Sequence, residues 1–158
     1  MAFAGESFDV VCGLESVCHC QDKREFLAEA YRVLRRPGRV MVADFFQLKE
    51  HLSPEEAERK RWVDGWAIPN LALVRQFGED LAAAGFQNVT YRDIRPQVMP
   101  SSERMYKASL VAGGIGRAME RLGVRSTVQT NKIRAARDQY STLRDAVWTY
   151  GIFTADKL

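Results

Sequence analysis

"FDVVCGLESVCHC", residues 8–20, is the stretch whose reading decides the fold. It opens as "FDVVCGL" (8–14), a short apolar run with β-branched residues, which predicts a buried strand. It closes in Cys18-His19-Cys20, a triplet that raises the question of a metal. Zinc accepts these ligand types, but structural sites separate their ligand pairs by two to four residues. Cys18, His19 and Cys20 are nearly contiguous, and Cys12 is expected to point into the sheet, so no metal is expected here.

The flanking sequence supplies the rest of a βαβ unit. Asp22 is placed to cap the helix "KREFLAEAYRVLRRPG" (23–38), in which Leu27, Ala30, Tyr31 and Leu34 form one apolar stripe. Arg32, Arg35 and Arg36 suit the C-terminal end of that helix, and Pro37-Gly38 stops it. "RVMVADFF" (39–46) is the second buried strand, and two strands joined by a helix predict a right-handed parallel crossover.

Further along, "SPEEAERKRW" begins with a capping box, Ser53 with Glu56, and Pro54 at the first helical position. "DGWAIPN" (64–70) breaks that helix. "LALVRQFGEDLAAAGF" (71–86) is amphipathic and ends at Gly85, and "QNVTYRDIR" (87–95) is a third strand. Residues 99–146 read as helical, with breaks at "GGIG" (113–116) and "GVRSTVQT" (123–130). "VWTYGIFTADK" (147–157) is a fourth strand. The pattern is α/β, with a sheet that needs helices on both faces.

The bulk numbers limit the function classes. A chain of 158 residues with 46% hydrophobic and 27% charged content suits one globular domain. A net charge of +3 does not argue for nucleic acid. No apolar run is long enough to span a membrane, and the first residues do not read as a secretory leader. The three cysteines all lie within residues 12–20, which excludes a disulfide scaffold and leads us to expect a cytoplasmic protein.

Residues 3–46 and several later motifs resemble class I S-adenosylmethionine-dependent methyltransferases, in the subgroup of sterol and tocopherol C-methyltransferases and sugar O-methyltransferases. The resemblance rests on Phe8-Asp9-Val10-Val11, Glu15-Ser16, His19, Asp22, Arg32-Val33-Leu34-Arg35, Pro37-Gly38 and Asp44. Gly65, Trp66, Ile68 and Pro69, then Ala84-Gly85-Phe86, and the closing "Y.IFTADK" extend it along the chain. Arg39 departs from the family, which usually has a second glycine there. The resemblance implies a Rossmann-like fold whose sheet runs 3-2-1-4-5-7-6, and this chain is expected to hold strands 4-5-7-6 with a helical insert.

The 158 residues contain no E-x-G-x-G-x-G turn and no acid closing a following strand, the parts that hold the cofactor in such folds. We therefore expect a single partial domain: a βαβ core over 1–50, helices and a third strand over 51–98, a helical lid over 99–146 and a final strand over 147–158. Its first strand is expected to expose an apolar edge, which invites another chain. The partner is either an N-terminal half carried elsewhere or a second copy.

The resemblance implies S-adenosylmethionine as cofactor and a small, lipid-like or natural-product acceptor methylated on oxygen or carbon. Gly13, Leu14 and Glu15 are the expected cofactor contacts. His19 and Asp44 are the expected catalytic pair, with Asp44 orienting the imidazole across a cleft. A satisfied, partly buried histidine is the alternative for His19. Phe45, Phe46, Trp62, Trp66, Ile68, Met105 and Tyr106 are candidates for an acceptor pocket. The alternative to an enzyme is a non-catalytic half-domain that pairs through its open edge.

Overall fold

Alternation along two long strands organises the molecule. The computed structural model describes the backbone of residues 2–121 and 127–158 and the side chains of residues 2–111 and 135–158. Strand β1 (Phe8–Leu14) is followed by a single 3₁₀ turn (Val17–His19), helix α1 (Lys23–Val33) and strand β2 (Leu34–Gln47). Helices α2 (Pro54–Lys60), α3 (Trp62–Gly65) and α4 (Val74–Ala83) lead to β3 (Gln87–Asp93). Two long helices, α5 (Arg95–Arg121) and α6 (Thr127–Arg144), precede β4 (Trp148–Lys157).

The four strands form one sheet in the order β1-β2-β4-β3. β1 and β2 are parallel, whereas β4 runs antiparallel to both of its neighbours. This is the 4-5-7-6 order expected from the sequence. Because side chains alternate across a strand, β2 and β4 feed two cores. Val40, Val42, Phe46, Phe153 and Ala155 pack with Leu27 and Ala30 of α1 and Phe77 and Leu81 of α4. Ala43, Trp148 and Tyr150 face the other way, against Trp62 and Val63 of α3 and Leu143 of α6.

Both expected caps form. Asp22 accepts from the Arg24 N–H at 2.8 Å, and Ser53 and Glu56 complete the capping box at α2. The end of α1 differs from expectation. The helix stops at Val33, and Leu34 is already extended with ψ 139°. Pro37 disfavours helical geometry at the residue before it, and the chain enters β2 early. Arg35 and Arg36 therefore lie on the strand, where Arg35 pairs with Asp9. Lys157 does the capping instead, donating from its buried amino group to the carbonyls of Tyr31 at 2.8 Å and Leu34 at 2.7 Å. The departure at Arg39 also has a partner: its guanidinium reaches Asp156 on β4 at 2.8 Å.

Three further expectations need correction. β1 is not a buried strand: among the described residues it pairs with β2 alone, so Cys12 is exposed, Val10 is 53% exposed and Leu14 71% exposed. The "GGIG" segment does not break the helix; the backbone of α5 continues through it to Arg121. A glycine costs a helix about 1 kcal/mol, a local preference that a long helix packed on a neighbour overrides. The second break is shorter than expected, since α6 begins at Thr127, and residues 122–126 lie outside the described residues.

Gly151 shows why one glycine is required. The Tyr91 ring of the neighbouring strand lies directly over it, in the space a Cβ would take.

Candidate functional site

The carboxyl ends of β1 and β2 build the site. After β1 the chain turns at Glu15, which takes a left-handed φ of 45° and donates its N–H to the Ala43 carbonyl at 3.0 Å. The 3₁₀ turn carrying His19 follows. Its position is set by Asp44, 1% exposed, whose Oδ2 accepts from Cys18 N at 2.9 Å and whose Oδ1 accepts from Phe45 N at 2.8 Å. The turn's other end is held by Lys23, whose amino group donates to the carbonyls of Cys18, Cys20 and Asn70 and to Asn70 Oδ1. Burial lowers the Lys23 amino pKa, against the opposing pull of nearby acidic groups. Burial, reinforced by the Asp44 carboxylate, pushes the Cys18 thiol up to about 12, so it stays protonated.

His19 is exposed on the open side of this turn. Its Nδ1 lies 3.2 Å from the carbonyl oxygen of Ala67. A carbonyl oxygen only accepts, so Nδ1 carries the proton and the lone pair of the neutral ring is on Nε2. Ala67 itself has a left-handed φ of 56°, in the "DGWAIPN" break after α3. Two non-glycine residues in this sparsely populated region, Glu15 and Ala67, thus flank the site.

In front of His19 is a cavity of about 500 Å³. One face of α5 lines it with Val98, Ser101, Ser102 and Met105, the i, i+3, i+4, i+7 spacing of a helix stripe. Gln139 and Leu143 of α6 stand one turn apart on another wall. Phe45 from β2 and Trp148 and Tyr150 from β4 form an aromatic floor, with Phe45 5.4 Å from Trp148 and 5.2 Å from Tyr150 between ring centres. Glu15, His19, Trp66 and Ile68 complete the rim. Tyr150 donates its hydroxyl to Glu15 Oε1 at 3.0 Å, and burial first, then that carboxylate, raises its pKa, so it is a donor and not a base.

The cavity therefore gathers Glu15, His19, Phe45, Trp66, Ile68 and Met105 of the expected residues. Others lie elsewhere. Asp44 does not reach the imidazole; both its oxygens are taken by backbone N–H groups, and it positions His19 through the turn. Phe46 faces the opposite core, 5.2 Å from Phe77 and 5.1 Å from Phe153, because it follows Phe45 on a strand. Tyr106 stacks on Tyr140 at 4.7 Å, next to Met105 but off the lining face of α5. Trp62 is buried beneath the floor against Phe45 and Trp148. Gly13 is packed against Val17, Leu14 is exposed at the end of β1, and Glu15 follows it, its carboxylate held by the Tyr150 hydroxyl.

Tyr150, Trp148, Ser101, Ser102 and Gln139 escaped the sequence reading. The helical spacing 98-101-102-105 and the strand spacing 148-150 were the signals available for most of them. Among the described residues no group of three or more His, Cys, Asp or Glu is placed to hold a metal. None of the described helices is long and apolar enough to cross a membrane.

Comparison with known proteins places this geometry. The profile of the family described as "Methyltransferase domain" matches residues 1–42. An O-methyltransferase of Penicillium expansum is 31% identical over 114 residues, 72% of this chain and 40% of that protein. Cycloartenol-C-24-methyltransferase 1 of Oryza sativa subsp. japonica is 28% identical over 136 residues, 80% of this chain and 39% of that protein. The solved structure of a cyclopropane synthase from Mycobacterium tuberculosis superposes on 97% of the chain and 56% of its own with a TM-score of 0.77, at 15% identity. The chain spans about two fifths of the length of these curated relatives. In sequence and in fold, the chain is a relative of the class I S-adenosylmethionine-dependent methyltransferases.

Proposed function

We propose that these residues form the acceptor side of an S-adenosylmethionine-dependent methyltransferase acting on a hydroxyl of a small molecule. The observation that carries this reading is the His19–Ala67 hydrogen bond, which leaves Nε2 as a free base at the rim of an aromatic-floored cavity. A hydroxyl needs a proton acceptor as its oxygen becomes a nucleophile, and a positioned imidazole serves that role near neutral pH. Phe45, Trp66 and Met105 supply apolar walls that orient an acceptor and exclude water.

The cofactor fits the residues at the end of β1. Leu14 offers an exposed apolar side chain and Glu15 a carboxylate, a suitable pair for the cationic methionine end of S-adenosylmethionine. Gly13, Leu14 and Glu15 would hold it there. When bound, it supplies an electrophilic methyl group. His19 Nε2 would take the hydroxyl proton as the acceptor oxygen bonds the methyl carbon, whose bond to the donor sulfur breaks to leave a neutral thioether, and Tyr150 would keep Glu15 turned toward the site. In such folds a glycine-rich turn holds the adenosine end; these 158 residues do not contain one, so in this reading a partner polypeptide would supply it.

The test is methyl transfer by the protein paired with its glycine-rich half, measured with radiolabelled donor. His19→Ala should lower turnover by roughly a hundred- to ten-thousandfold, with the acceptor KM little changed. Turnover close to wild type would dismiss His19 as the base.

The open edge of β1 favours a second role for the same sheet, as a pairing surface for the glycine-rich half or for a second copy. Light scattering of the purified chain with and without that half distinguishes the two. A stable, methyl-transfer-inactive homodimer that excludes the other half would favour a non-catalytic protein.

A further inference from the structure

The two partners of the His19–Ala67 bond come from separate segments, the 3₁₀ turn after β1 and the loop after α3. Neither segment holds itself in place. The turn is 3 residues long, and Ala67 has a left-handed conformation that persists only where its surroundings fix it. Among the described residues, the other hydrogen bonds between turn and loop all pass through Lys23 and Asn70. Lys23 Nζ donates to the carbonyls of Cys18 at 3.2 Å and Cys20 at 2.7 Å, on either side of His19. The same nitrogen donates to Asn70 O at 3.0 Å and to Asn70 Oδ1 at 2.6 Å, in the loop that carries Ala67. Asn70 Nδ2 returns to the Gln21 carbonyl at 3.3 Å. An ammonium has only three protons, so these acceptors occupy all of them. Lys23 is 8% exposed, and burying an ammonium among uncharged oxygens is costly. The start of α1 does not need it, because Asp22 already caps that helix. What the charge achieves is a firm grip across two segments, since charge-assisted hydrogen bonds are about twice as strong as neutral ones.

We propose that Lys23, with Asn70, is the positioning group of His19: it clamps the turn to the loop, keeps the Ala67 carbonyl on Nδ1 and so leaves the Nε2 lone pair free at the cavity rim. This rests on the reading of His19 as the base. Asp44 fixes the turn to the sheet, whereas Lys23 fixes it to the segment that decides which ring nitrogen keeps the proton.

The test is the nitrogen–proton correlation spectrum of the His19 ring, assigned with His51→Gln, in wild type, Lys23→Met and Asn70→Ala. Lys23→Met keeps the apolar length of the side chain and removes the amino group. At a pH where the ring is neutral, the wild type should show one tautomer, protonated on Nδ1. Lys23→Met should bring both nitrogens to intermediate values, the signature of two exchanging tautomers. Asn70→Ala should shift them the same way but less, because its backbone carbonyl still meets Lys23. Lys23→Arg restores a charged donor and should move the spectrum back toward wild type. Paired with the glycine-rich half, Lys23→Met should lower kcat about ten- to a hundredfold and leave the acceptor KM within about twofold. A lysine with a structural role alone would lower the melting temperature and leave the ring of the folded protein unchanged. If Lys23→Met fails to fold, Asn70→Ala decides alone. A folded variant that keeps the single Nδ1–H tautomer, or a loss confined to KM, would overturn the proposal. Full turnover in His19→Ala would remove the base and leave the clamp on the ring standing.

Discussion

The hydroxyl of Tyr150, near the start of the last strand, donates to Glu15 Oε1 at 3.0 Å, closing the cavity between the two ends of the chain. That bond supports a residue in a strained left-handed conformation. Tyr150→Phe removes one hydroxyl and keeps the ring packed on Phe45. We expect a loss of about 1 kcal/mol in stability but a rise of about tenfold in the Kd for S-adenosylhomocysteine, read by calorimetry on the full protein. Unchanged affinity would separate Glu15 from the cofactor.

Asp44 acts through the backbone, and its substitution should show that. Asp44→Ala leaves the Cys18 and Phe45 N–H groups unpaired in a buried place, and should cost about 2–4 kcal/mol in chemical denaturation. The pH profile of whatever methyl transfer remains should keep its wild-type shape. A displaced profile would mean that Asp44 touches the imidazole after all.

The cysteines should differ sharply in reactivity. Cys12 is exposed on the edge strand, whereas Cys18 is buried with its thiol pushed up to about 12. Brief maleimide treatment at neutral pH followed by mass spectrometry should modify Cys12 and spare Cys18. Equal labelling would show that the turn carrying His19 opens readily.

The contact between α2 and the end of α6 should titrate. The Arg59 guanidinium, at 2.6 Å, holds the Asp145 carboxyl below its ordinary value, helped by Arg144. A carboxyl whose folded pKa is depressed stabilises the protein above the unfolded value, and that contribution is lost as pH falls through the folded one. The melting-temperature difference between wild type and Asp145→Asn should therefore be constant above about pH 5 and close at lower pH. A gap that persists in strong acid would assign the effect to packing.

Much of the scaffold was legible because it depends on local rules. The capping box at Ser53, the cap at Asp22 and the alternation along β2 are each written within a few residues. The 4-5-7-6 strand order came from the resemblance, whereas the antiparallel direction of β4 was not part of that reading. The partner of His19 was not legible. Ala67 is 48 residues away and contributes a carbonyl, which carries no side-chain signature. Asp44 was read as facing the imidazole because both end adjacent strands, but only coordinates show that backbone N–H groups already occupy its oxygens. The open edge of β1 was expected from the resemblance, but the apolar run alone reads the same at the edge as in the middle, so the exposure of Cys12, Val10 and Leu14 was not.

The most direct test of the account is the tautomer of His19. The chain has two histidines, so nitrogen–proton correlation spectra of the imidazoles, assigned with His51→Gln, are easily read. At a pH where the ring is neutral, the account predicts a proton on Nδ1 and an unprotonated Nε2. A proton on Nε2 would contradict it, because the nitrogen assigned to take the acceptor's proton would already carry one.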